Sequence, residues 1–379
     1  MQAPENRRAP LRTKLLIAAA ALLGLALAGE LAARAYLANW ASESAFRRFA
    51  SIDQLQRDER FPSAIQRHSY MSYMLTPGFK KGPNEVDSHG FRGAEVLGKK
   101  REGEFRIFCM GGSTTYGGGI PDWRLAYPAQ LEVELEKRVG GDIVVINAAA
   151  PGYTSWESVT NFAFRVLEYE PDLVLVYDGV NDILARFVWP PEGYRSDNSA
   201  FRKPSSVVYW PKFYEQSALA RIVAIQLGWT MSHSRLERLF GGGGEDNVDA
   251  AAAAKLGVPL ERILAANPPK YFERNLENVG VLARHHGCRA VFLTFAHCTG
   301  FPGQLGSDTL AFEAAYREMN EAARRAAERS GAAVFEFAAV LPDDRALFLD
   351  AVHLSPRGCE LQARLIADFL IANRLVPGS

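Results

Sequence analysis

The sequence carries no excess of either charge. Its 379 residues include 43 lysines and arginines and 43 aspartates and glutamates. A protein that binds nucleic acid usually shows a basic field, and this chain has none. Hydrophobic residues make up 48% of the chain, which is too many for a disordered polymer, and no repeat of solenoid length is visible. We therefore expect a folded globular protein with no nucleic-acid partner.

Cysteine is scarce, and its spacing excludes the common cysteine sites. Cys109, Cys288, Cys298 and Cys359 form no CxxC pair and no zinc-ligand pattern with histidine, so no metal site is predicted. Cys288 and Cys298 flank a predicted strand that would hold them about 20 Å apart, whereas a disulfide needs Cα atoms within about 7 Å. Cys109 is expected in the core. A disulfide between Cys298 and Cys359 remains geometrically open.

Only one apolar run is long enough to suggest a membrane helix. Basic residues between positions 7 and 14 precede the run at 15–37, whose roughly 23 residues would cross a bilayer core of about 30 Å. Glu30 and Arg34 interrupt it one helical turn apart and could pair. Counted only to Gly29, the run suits a cleaved signal peptide with an A-x-A-like site. We predict an uncleaved anchor, with a signal peptide and a buried soluble helix as alternatives. In the first two cases the basic end lies in the cytoplasm and the rest of the chain outside it.

The rest of the chain is organised around one large domain. We predict a cytoplasmic tail, a membrane helix, a connector, a catalytic domain and an insertion within that domain, at 1–14, 15–37, 38–100, 101–379 and 183–270. The insertion is too long for a simple crossover between strands. A helix is expected over 217–240 and a flexible glycine tip over 241–244.

The insertion leaves the sheet directly after Asn181 and is rich in aromatic residues, so we expect it to form a wall or lid beside a substrate. Trp189 is a candidate for substrate binding on this ground. A packed extension with no substrate role is the first alternative. The second is a helix that touches the membrane surface through Val223, Leu227 and Trp229.

Short apolar segments alternate with helical patterns from Phe105 onward. The candidate strands are Phe105–Met110, Ile143–Asn147, Leu173–Tyr177, Ala290–Phe295 and Ala333–Phe337. The candidate helices are Tyr127–Val139, Ser155–Glu168, Tyr271–His286, Thr309–Ser330 and Ser355–Asn373. Continuous apolar strands separated by helices indicate a parallel α/β sheet covered on both faces. Ligands of such sheets bind where the carboxyl ends of the strands meet.

Groups suited to ester hydrolysis follow the predicted strands in order. Ser113 follows the first strand in a GGS turn, Gly152 the second and Asn181 the third, while Asp350 and His353 precede the last helix. A serine esterase needs an activated hydroxyl, a base, a group that orients the base, and donors aimed at the developing oxyanion. Ser113 fits the nucleophile, His353 the base and Asp350 the orienting carboxylate. A glycine N–H at Gly152 and the amide of Asn181 fit the donors.

Each of these signals has another interpretation when it stands alone. The GGS turn could hold a phosphate, although it lacks the GK[ST] ending of a P-loop and does not fit GxGxxG. Asn181 could cap a helix, and His353 could be structural. His297 follows the fourth strand and could bind substrate or replace His353 as the base. We favour an exposed loop histidine for His297.

Four blocks of the sequence together resemble those of the SGNH/GDSL hydrolase family. They are GGS at 111–113, NAAAPGY around Gly152, GVND around Asn181 and DAVH at 350–353. The resemblance covers roughly residues 84–374. Within the family, the chain most resembles the membrane-anchored bacterial members. It implies a three-layer α/β/α fold with a flavodoxin-like parallel sheet of about five strands. It also implies an oxyanion hole made by Ser113, Gly152 and Asn181.

The chain departs from the family pattern at one position and extends it at another. The family's GDS reads GGS here, so Gly112 stands in place of an aspartate. The stretch from Asp87 to Gly93 resembles the segment that precedes the nucleophile strand in anchored members. Arg92 within it is a further candidate for substrate binding. The alternative is that Phe91 packs on the sheet and Arg92 makes a structural ion pair.

We expect a membrane-tethered serine esterase whose domain lies outside the cytoplasm, in the periplasm or the extracellular space. Its partners would be an acyl-ester substrate, most plausibly an acylated carbohydrate of the cell envelope, and the membrane. No cofactor is predicted. The alternatives are an acyltransferase that excludes water, a lipid esterase, and a non-catalytic binding protein with the same fold. Acyl-chain length, acceptor and oligomeric state are open.

Overall fold

The computed structural model describes residues 10–57, 60–61, 64–66, 68–95, 97–198, 212–234, 257–301 and 309–378. The chain divides into two compact units. The first, here called the N-terminal unit, combines Met1–Pro62 with Val208–Arg238. The second, here called the sheet unit, combines Ser63–Val207 with Leu239–Ser379. The described residues 212–234 of the insertion thus cluster with the N-terminal helix.

The main strands are β1 Phe105–Gly111, β2 Ile143–Asn147, β3 Leu173–Tyr177, β4 Arg289–Leu293 and β5 Ala333–Phe335. Among the described residues, the α-helices are α1 Leu11–Asn39, α2 Glu43–Phe49, α3 Ile52–Arg57, α4 Ser113–Tyr116, α5 Tyr127–Val139, α6 Ser155–Phe164, α7 Val180–Ala185, α8 Ala218–Gln226, α9 Leu260–Ala266, α10 Lys270–His285, α11 Thr309–Ser330, α12 Phe337–Val340 and α13 Pro356–Ala372. Single 3-10 turns cover Trp123–Leu125, Val166–Tyr169, Pro191–Gly193, Phe213–Gln216 and Arg345–Leu347. Short antiparallel ladders pair Ile65–Gln66 with Met74–Leu75 and Lys80–Lys81 with Asn84–Glu85.

The sheet unit is built on five parallel strands in the order β2-β1-β3-β4-β5. This order is the flavodoxin-like arrangement, so the predicted fold class is confirmed. Every residue of β1, β2 and β3 is buried, as expected for strands covered on both faces. In register, Cys109 of β1 lies opposite Asn147 of β2 and Leu175 of β3. The carboxyl ends of these three strands therefore lie together.

Helices cover the two faces of this sheet. On one face α5 packs against β2 and against α13. On the other, α6 packs against α10, α10 packs against α11, and both α10 and α11 contact β4. Local signals begin these helices: Thr154 and Glu157 form a capping box at α6, and Ser355 caps α13 with Pro356 in its first turn. The result is the three-layer α/β/α architecture.

Several predicted elements end earlier than the sequence pattern suggested. Strand β4 stops at Leu293 and not at Phe295, and α6 stops at Phe164 and not at Glu168. Strand β5 stops at Phe335, because Phe337, which we had placed in the strand, begins α12. The helix predicted over 217–240 ends at Gln226. There Gly228 has a φ of +72° and the N–H of Trp229 bonds to the carbonyl of Ala224, a geometry that terminates helices. The glycine tip at 241–244 lies outside the described residues.

The N-terminal unit contains one helix that is long and apolar enough to cross a membrane. This helix, α1, is continuous from Leu11 to Asn39 and therefore longer than the predicted span at 15–37. Its large apolar side chains between Leu15 and Leu27 are 60–73% exposed. The Nε of Arg34 lies 2.6 Å from the Oε1 of Glu30, so the predicted pair forms. Such a helix fits a membrane anchor or a signal sequence.

All four cysteines are free and buried. The disulfide left open between Cys298 and Cys359 therefore does not form. Burial raises the pKa of the Cys288 and Cys359 thiols to about 12, and that of Cys109 still further. As predicted, Cys109 is a core residue.

Candidate active site

Ser113 lies at the carboxyl end of β1, where two glycines turn the chain into α4. Gly111 has a φ of +152°, a conformation that side chains disfavour. A Cβ on Gly111 would lie 2.4 Å from the carbonyl oxygen of Tyr177 at the end of β3. This close approach of the backbones requires glycine. The turn places the half-buried Ser113 at the edge where the strands end.

Asp350 and His353 lie in a tight loop before α13. The Oδ1 of Asp350 accepts the N–H groups of Val352 at 2.9 Å and His353 at 2.8 Å, and the carbonyl of His353 accepts the N–H of Leu349 at 2.7 Å. The N–H of Cys298 bonds to the carbonyl of Ala351. These bonds fix the loop internally and tie it to the segment after β4.

The loop brings a carboxylate, an imidazole and a hydroxyl within hydrogen-bond distance of one another in sequence. The Nδ1 of His353 is 2.7 Å from Oδ2 of Asp350, and its Nε2 is 2.7 Å from Oγ of Ser113. Burial alone would raise the pKa of Asp350, but hydrogen bonds from His353 and from backbone N–H groups outweigh it and hold that pKa below its usual range. The carboxylate therefore stays ionised at neutral pH. It can fix the imidazole tautomer and stabilise the imidazolium when Nε2 takes a proton.

Gly118 is a close neighbour of this triad that the sequence analysis did not identify. A Cβ at this position would lie 2.8 Å from Cδ2 of His353, 3.0 Å from its Nε2 and 3.3 Å from Cβ of Ser113. Its N–H bonds to the carbonyl of Ser113 at 2.7 Å. The run of three glycines at 117–119 indicates a turn, but the sequence alone gives no reason to place that turn against His353.

Gly152 lies on the loop after β2, and Asn181 lies at the start of α7, after β3. Gly152 has a φ of +81°, which favours glycine. Asn181 belongs to the first turn of α7 but does not cap it, since the N-cap is Gly179. Instead its Nδ2 donates to the carbonyl of Tyr153 at 2.8 Å. An amide group has two N–H donors, so this bond can orient the second one for a substrate oxygen.

The close surroundings of Gly112 explain why this chain has GGS where the family has GDS. A Cβ on Gly112 would lie 2.6 Å from Nδ2 of Asn181 and 2.9 Å from the carbonyl oxygen of Tyr153. It would therefore clash with both partners of the hydrogen bond between Asn181 and Tyr153. An aspartate does not fit unless Asn181 moves.

Arg92 supports the loop that carries Gly118. It is 4% exposed, and its guanidinium donates to the carbonyls of Tyr116, Gly117, Ile120 and Pro121. The group also stacks 4.1 Å from the centre of the Tyr116 ring. The structural ion pair that we considered is therefore replaced by a set of bonds to backbone carbonyls. Arg92 is a positioning residue for this loop.

His297 is not the exposed loop histidine that we favoured. Its ring stacks on that of Tyr316 from α11, with centroids 4.3 Å apart, and its Nε2 is buried with no hydrogen-bond partner among the described residues. Burial lowers its pKa, against the opposing effect of Glu313 and Asp343. The side chains of Ser113 and Asp350 both bond to His353, which keeps the role of base that His297 was considered for.

The ends of the insertion are tied together inside the sheet unit. The buried Arg186 donates to the carbonyls of Asn267 and Leu264, and the amide of Asn267 donates back to the carbonyls of Arg186 and Val188. Trp189 is half-buried, with the guanidinium of Arg262 5.3 Å from its ring centre. Its role in substrate binding stays a prediction. Trp210, another tryptophan of the insertion, lies outside the described residues.

A parallel α/β sheet with a serine, a histidine and an aspartate aligned at its carboxyl edge defines a serine hydrolase of the α/β/α type. The sequence profile of the GDSL-like lipase/acylhydrolase family matches residues 109–361, which is more than half of the chain. The chain therefore belongs to this family, whose members are serine hydrolases of ester bonds. No curated protein gives a significant match.

Several solved structures are similar to the chain. One is a GDSL-like lipase from Bacteroides thetaiotaomicron, with 13% identity, a TM-score of 0.41, and coverage of 73% of this chain and 93% of that one. Another is a variant of the acetyl xylan esterase Axe2 from Geobacillus stearothermophilus, with 15% identity, a TM-score of 0.42, and coverage of 73% and 95%. TesA has 15% identity, a TM-score of 0.41, and coverage of 72% and 99%. Similarity at this level carries no argument about the substrate.

Proposed function

We propose that this esterase uses Ser113 as its nucleophile, His353 as its general base and Asp350 as the group that orients the base. The observation that carries the proposal is the pair of 2.7 Å contacts that joins the three side chains. These lengths lie within hydrogen-bond reach, which a nucleophile and its base require.

The reaction would proceed through an acyl-enzyme. Oγ of Ser113 attacks the carbonyl carbon of the ester while Nε2 of His353 takes its proton. The oxyanion accepts hydrogen bonds from the N–H groups of Ser113 and Gly152 and from the side-chain amide of Asn181. The tetrahedral intermediate then expels the alcohol, which receives the proton from His353. Water, activated by the same imidazole, cleaves the acyl-serine and releases the carboxylic acid.

For the substrate, we propose O-acyl esters of a carbohydrate in the cell envelope or exported from the cell. This choice of substrate depends on the catalytic domain lying outside the cytoplasm. The apolar helix α1 follows a basic start of the chain, and basic flanks remain in the cytoplasm. A tethered domain on the other side of the membrane would meet envelope polymers, whose acyl groups are attached to sugar hydroxyls.

The test is hydrolysis by the full-length protein in detergent. The substrates are acetylated oligosaccharides, short and long acyl esters of an aryl alcohol, and each of these with a sugar acceptor added. We expect release of free acetate from the oligosaccharide by the wild-type protein and not by Ser113→Ala. Equal turnover by Ser113→Ala would overturn the catalytic assignment. Preference for long acyl chains would overturn the carbohydrate assignment, and accumulation of acylated acceptor in place of free acid would replace hydrolysis by transfer.

A further inference from the structure

The N-terminal unit exposes large apolar side chains outside α1. They belong to residues 212–234, here called the inserted segment, which contains α8. Phe213 is 86% exposed and Trp229 67% exposed, and Leu227 and Met231 are also exposed. Water-soluble surfaces rarely present so many large apolar groups within one short stretch.

Three titratable side chains of the same segment point inward, whereas Lys212, Gln216 and Gln226 are exposed. Arg221, Glu215 and His233 are each at most 2% exposed. Arg221 donates to the carbonyls of Phe49 and Glu215 and to the side chain of Gln54. A segment that buries most of its titratable groups and exposes large apolar ones has the polarity expected of protein in contact with lipid, where polar groups must be satisfied internally.

The inserted segment is attached to α1 through Glu30. One carboxylate oxygen of Glu30 accepts the N–H of Ala218 at 3.0 Å, and the other accepts the N–H of Leu219 at 2.9 Å and the hydroxyl of Ser217 at 2.6 Å. Glu30 thus satisfies N–H groups that the first turn of a helix leaves unpaired. A Cβ on Gly29 would lie 2.9 Å from a methyl carbon of Leu219. The glycine lets α8 approach α1 closely at this level.

The segment also folds back on its own start. Gly228 reverses the chain after α8. The hydroxyl of Thr230 then bonds to Oε1 of Glu215 at 2.8 Å, and Nε2 of His233 lies 3.0 Å from its Oε2. Thr230 and His233 are therefore tied to Glu215, shortly before the start of α8 that Glu30 holds, while the N–H of Trp229 bonds to the carbonyl of Ala224.

The position of Glu30 along α1 gives its depth in a bilayer. About 16 residues lead from Leu15, where the apolar run begins, to Glu30, and at 1.5 Å each they span about 24 Å of a hydrocarbon core of about 30 Å. Glu30, and with it the start of α8, would lie in the outer acyl region of the bilayer, close below the headgroups. Tyr36 on α1 and Trp40 at its C-cap are exposed on the outer side of Glu30, and tyrosine and tryptophan are typical of the membrane interface.

We propose that the inserted segment is a second membrane contact. Phe213, Leu227, Trp229 and Met231 lie in the headgroup and upper acyl region of the outer leaflet beside α1. The occupant of this apolar surface is lipid, because the surface continues that of α1 and is attached to it close below the headgroups. The proposal concerns membrane contact alone and stands or falls independently of the catalytic assignments.

The test is quenching of tryptophan fluorescence by brominated lipid. The full-length protein is reconstituted into vesicles of phosphatidylethanolamine and phosphatidylglycerol, with acyl chains that either carry bromine near the headgroup end or lack it. The variants are Trp229→Phe, Trp40→Phe for the end of α1, and Trp123→Phe as a matched removal of a half-buried tryptophan in the sheet unit. The quantity measured is the quenched part of the emission.

We expect Trp229→Phe and Trp40→Phe each to reduce the quenched emission, and Trp123→Phe to leave it unchanged. If Trp40→Phe reduces it and Trp229→Phe does not, α1 is in the bilayer but the inserted segment is not, and the proposal is wrong. If neither variant changes the quenching, the segment is also not in lipid. Burial of Trp229 against a protein partner would give the same negative result.

Discussion

Replacing Gly112 by alanine should disable the proposed oxyanion hole while leaving the triad in place. The new Cβ would start 2.6 Å from Nδ2 of Asn181 and 2.9 Å from the carbonyl oxygen of Tyr153. Ordinary van der Waals contact begins at 3.4 Å, so the amide must move by roughly 0.8 Å. The φ of Gly112 is −85°, outside the left-handed region that favours glycine. The predicted effect is therefore steric and acts through Asn181.

The expected loss of kcat in Gly112→Ala follows from two reference values. Misplacing a reacting group by about 1 Å can cost about 10²-fold in rate, and deleting one oxyanion donor costs about 10²–10³-fold in kcat. We expect Gly112→Ala to lower kcat about 10²-fold, with a smaller change in KM. The assay is steady-state hydrolysis of an aryl acetate. The matched control is Gly98→Ala, since a Cβ there meets nothing within 4 Å and should leave kcat unchanged.

A double-mutant cycle with Asn181 distinguishes a displaced Asn181 amide from a nonspecific distortion of the site. If Gly112→Ala acts by moving Asn181, adding it to Asn181→Ala should cost less than about tenfold, because the donor is already gone. Losses that multiply in full would show that Gly112 acts independently of Asn181 and would refute the reasoning. Equal activity of Gly112→Ala and wild type would refute it as well.

Three further predictions concern the surroundings of the triad. Asp350→Asn should lower kcat by about 10⁴-fold, as loss of the orienting carboxylate does in other triads. In the wild-type protein the pKa of folded Asp350 lies below 3.8, so the stability that its ionised carboxylate contributes should be complete above that pH. Thermal unfolding should show this stability declining only as the pH falls through the lower, folded-state pKa. Arg92→Met should lower the free energy of unfolding by roughly 1–3 kcal/mol or more, because buried carbonyls lose their donor, with Arg92→Lys losing less in denaturant titration. The four buried thiols, with the Cys359 pKa at about 12, should react with a thiol reagent only after denaturation, and rapid reaction of the native protein would contradict their burial.

The fold was predictable because its signals are local. The bounds of β2, β3, α5 and α11 agree with the sequence pattern, since a fully apolar run or an amphipathic repeat depends on neighbouring residues. The end of the insertion helix did not agree. It depends on Gly228 adopting a left-handed conformation, which the sequence permits but does not require.

Contacts between distant residues account for what the sequence could not show. Arg92 is held by carbonyls more than twenty positions away, so its type and spacing gave no indication of them. His297 is covered by Tyr316, a residue of α11 whose packing follows only from the assembled layers. The order Ser113, Asn181, His353 was readable because each of these residues follows or precedes a predicted element. The close approach of Gly118 to His353 was not.

The most direct test of the catalytic account is to map where a serine-reactive phosphonate binds. The full-length protein is treated with a fluorophosphonate, digested, and the modified residue is identified by mass spectrometry. The account predicts modification at Ser113, strongly slowed in His353→Ala because the base is lost, and unaffected in His297→Ala. Modification at another serine, or labelling that persists in His353→Ala and is abolished in His297→Ala, would contradict it.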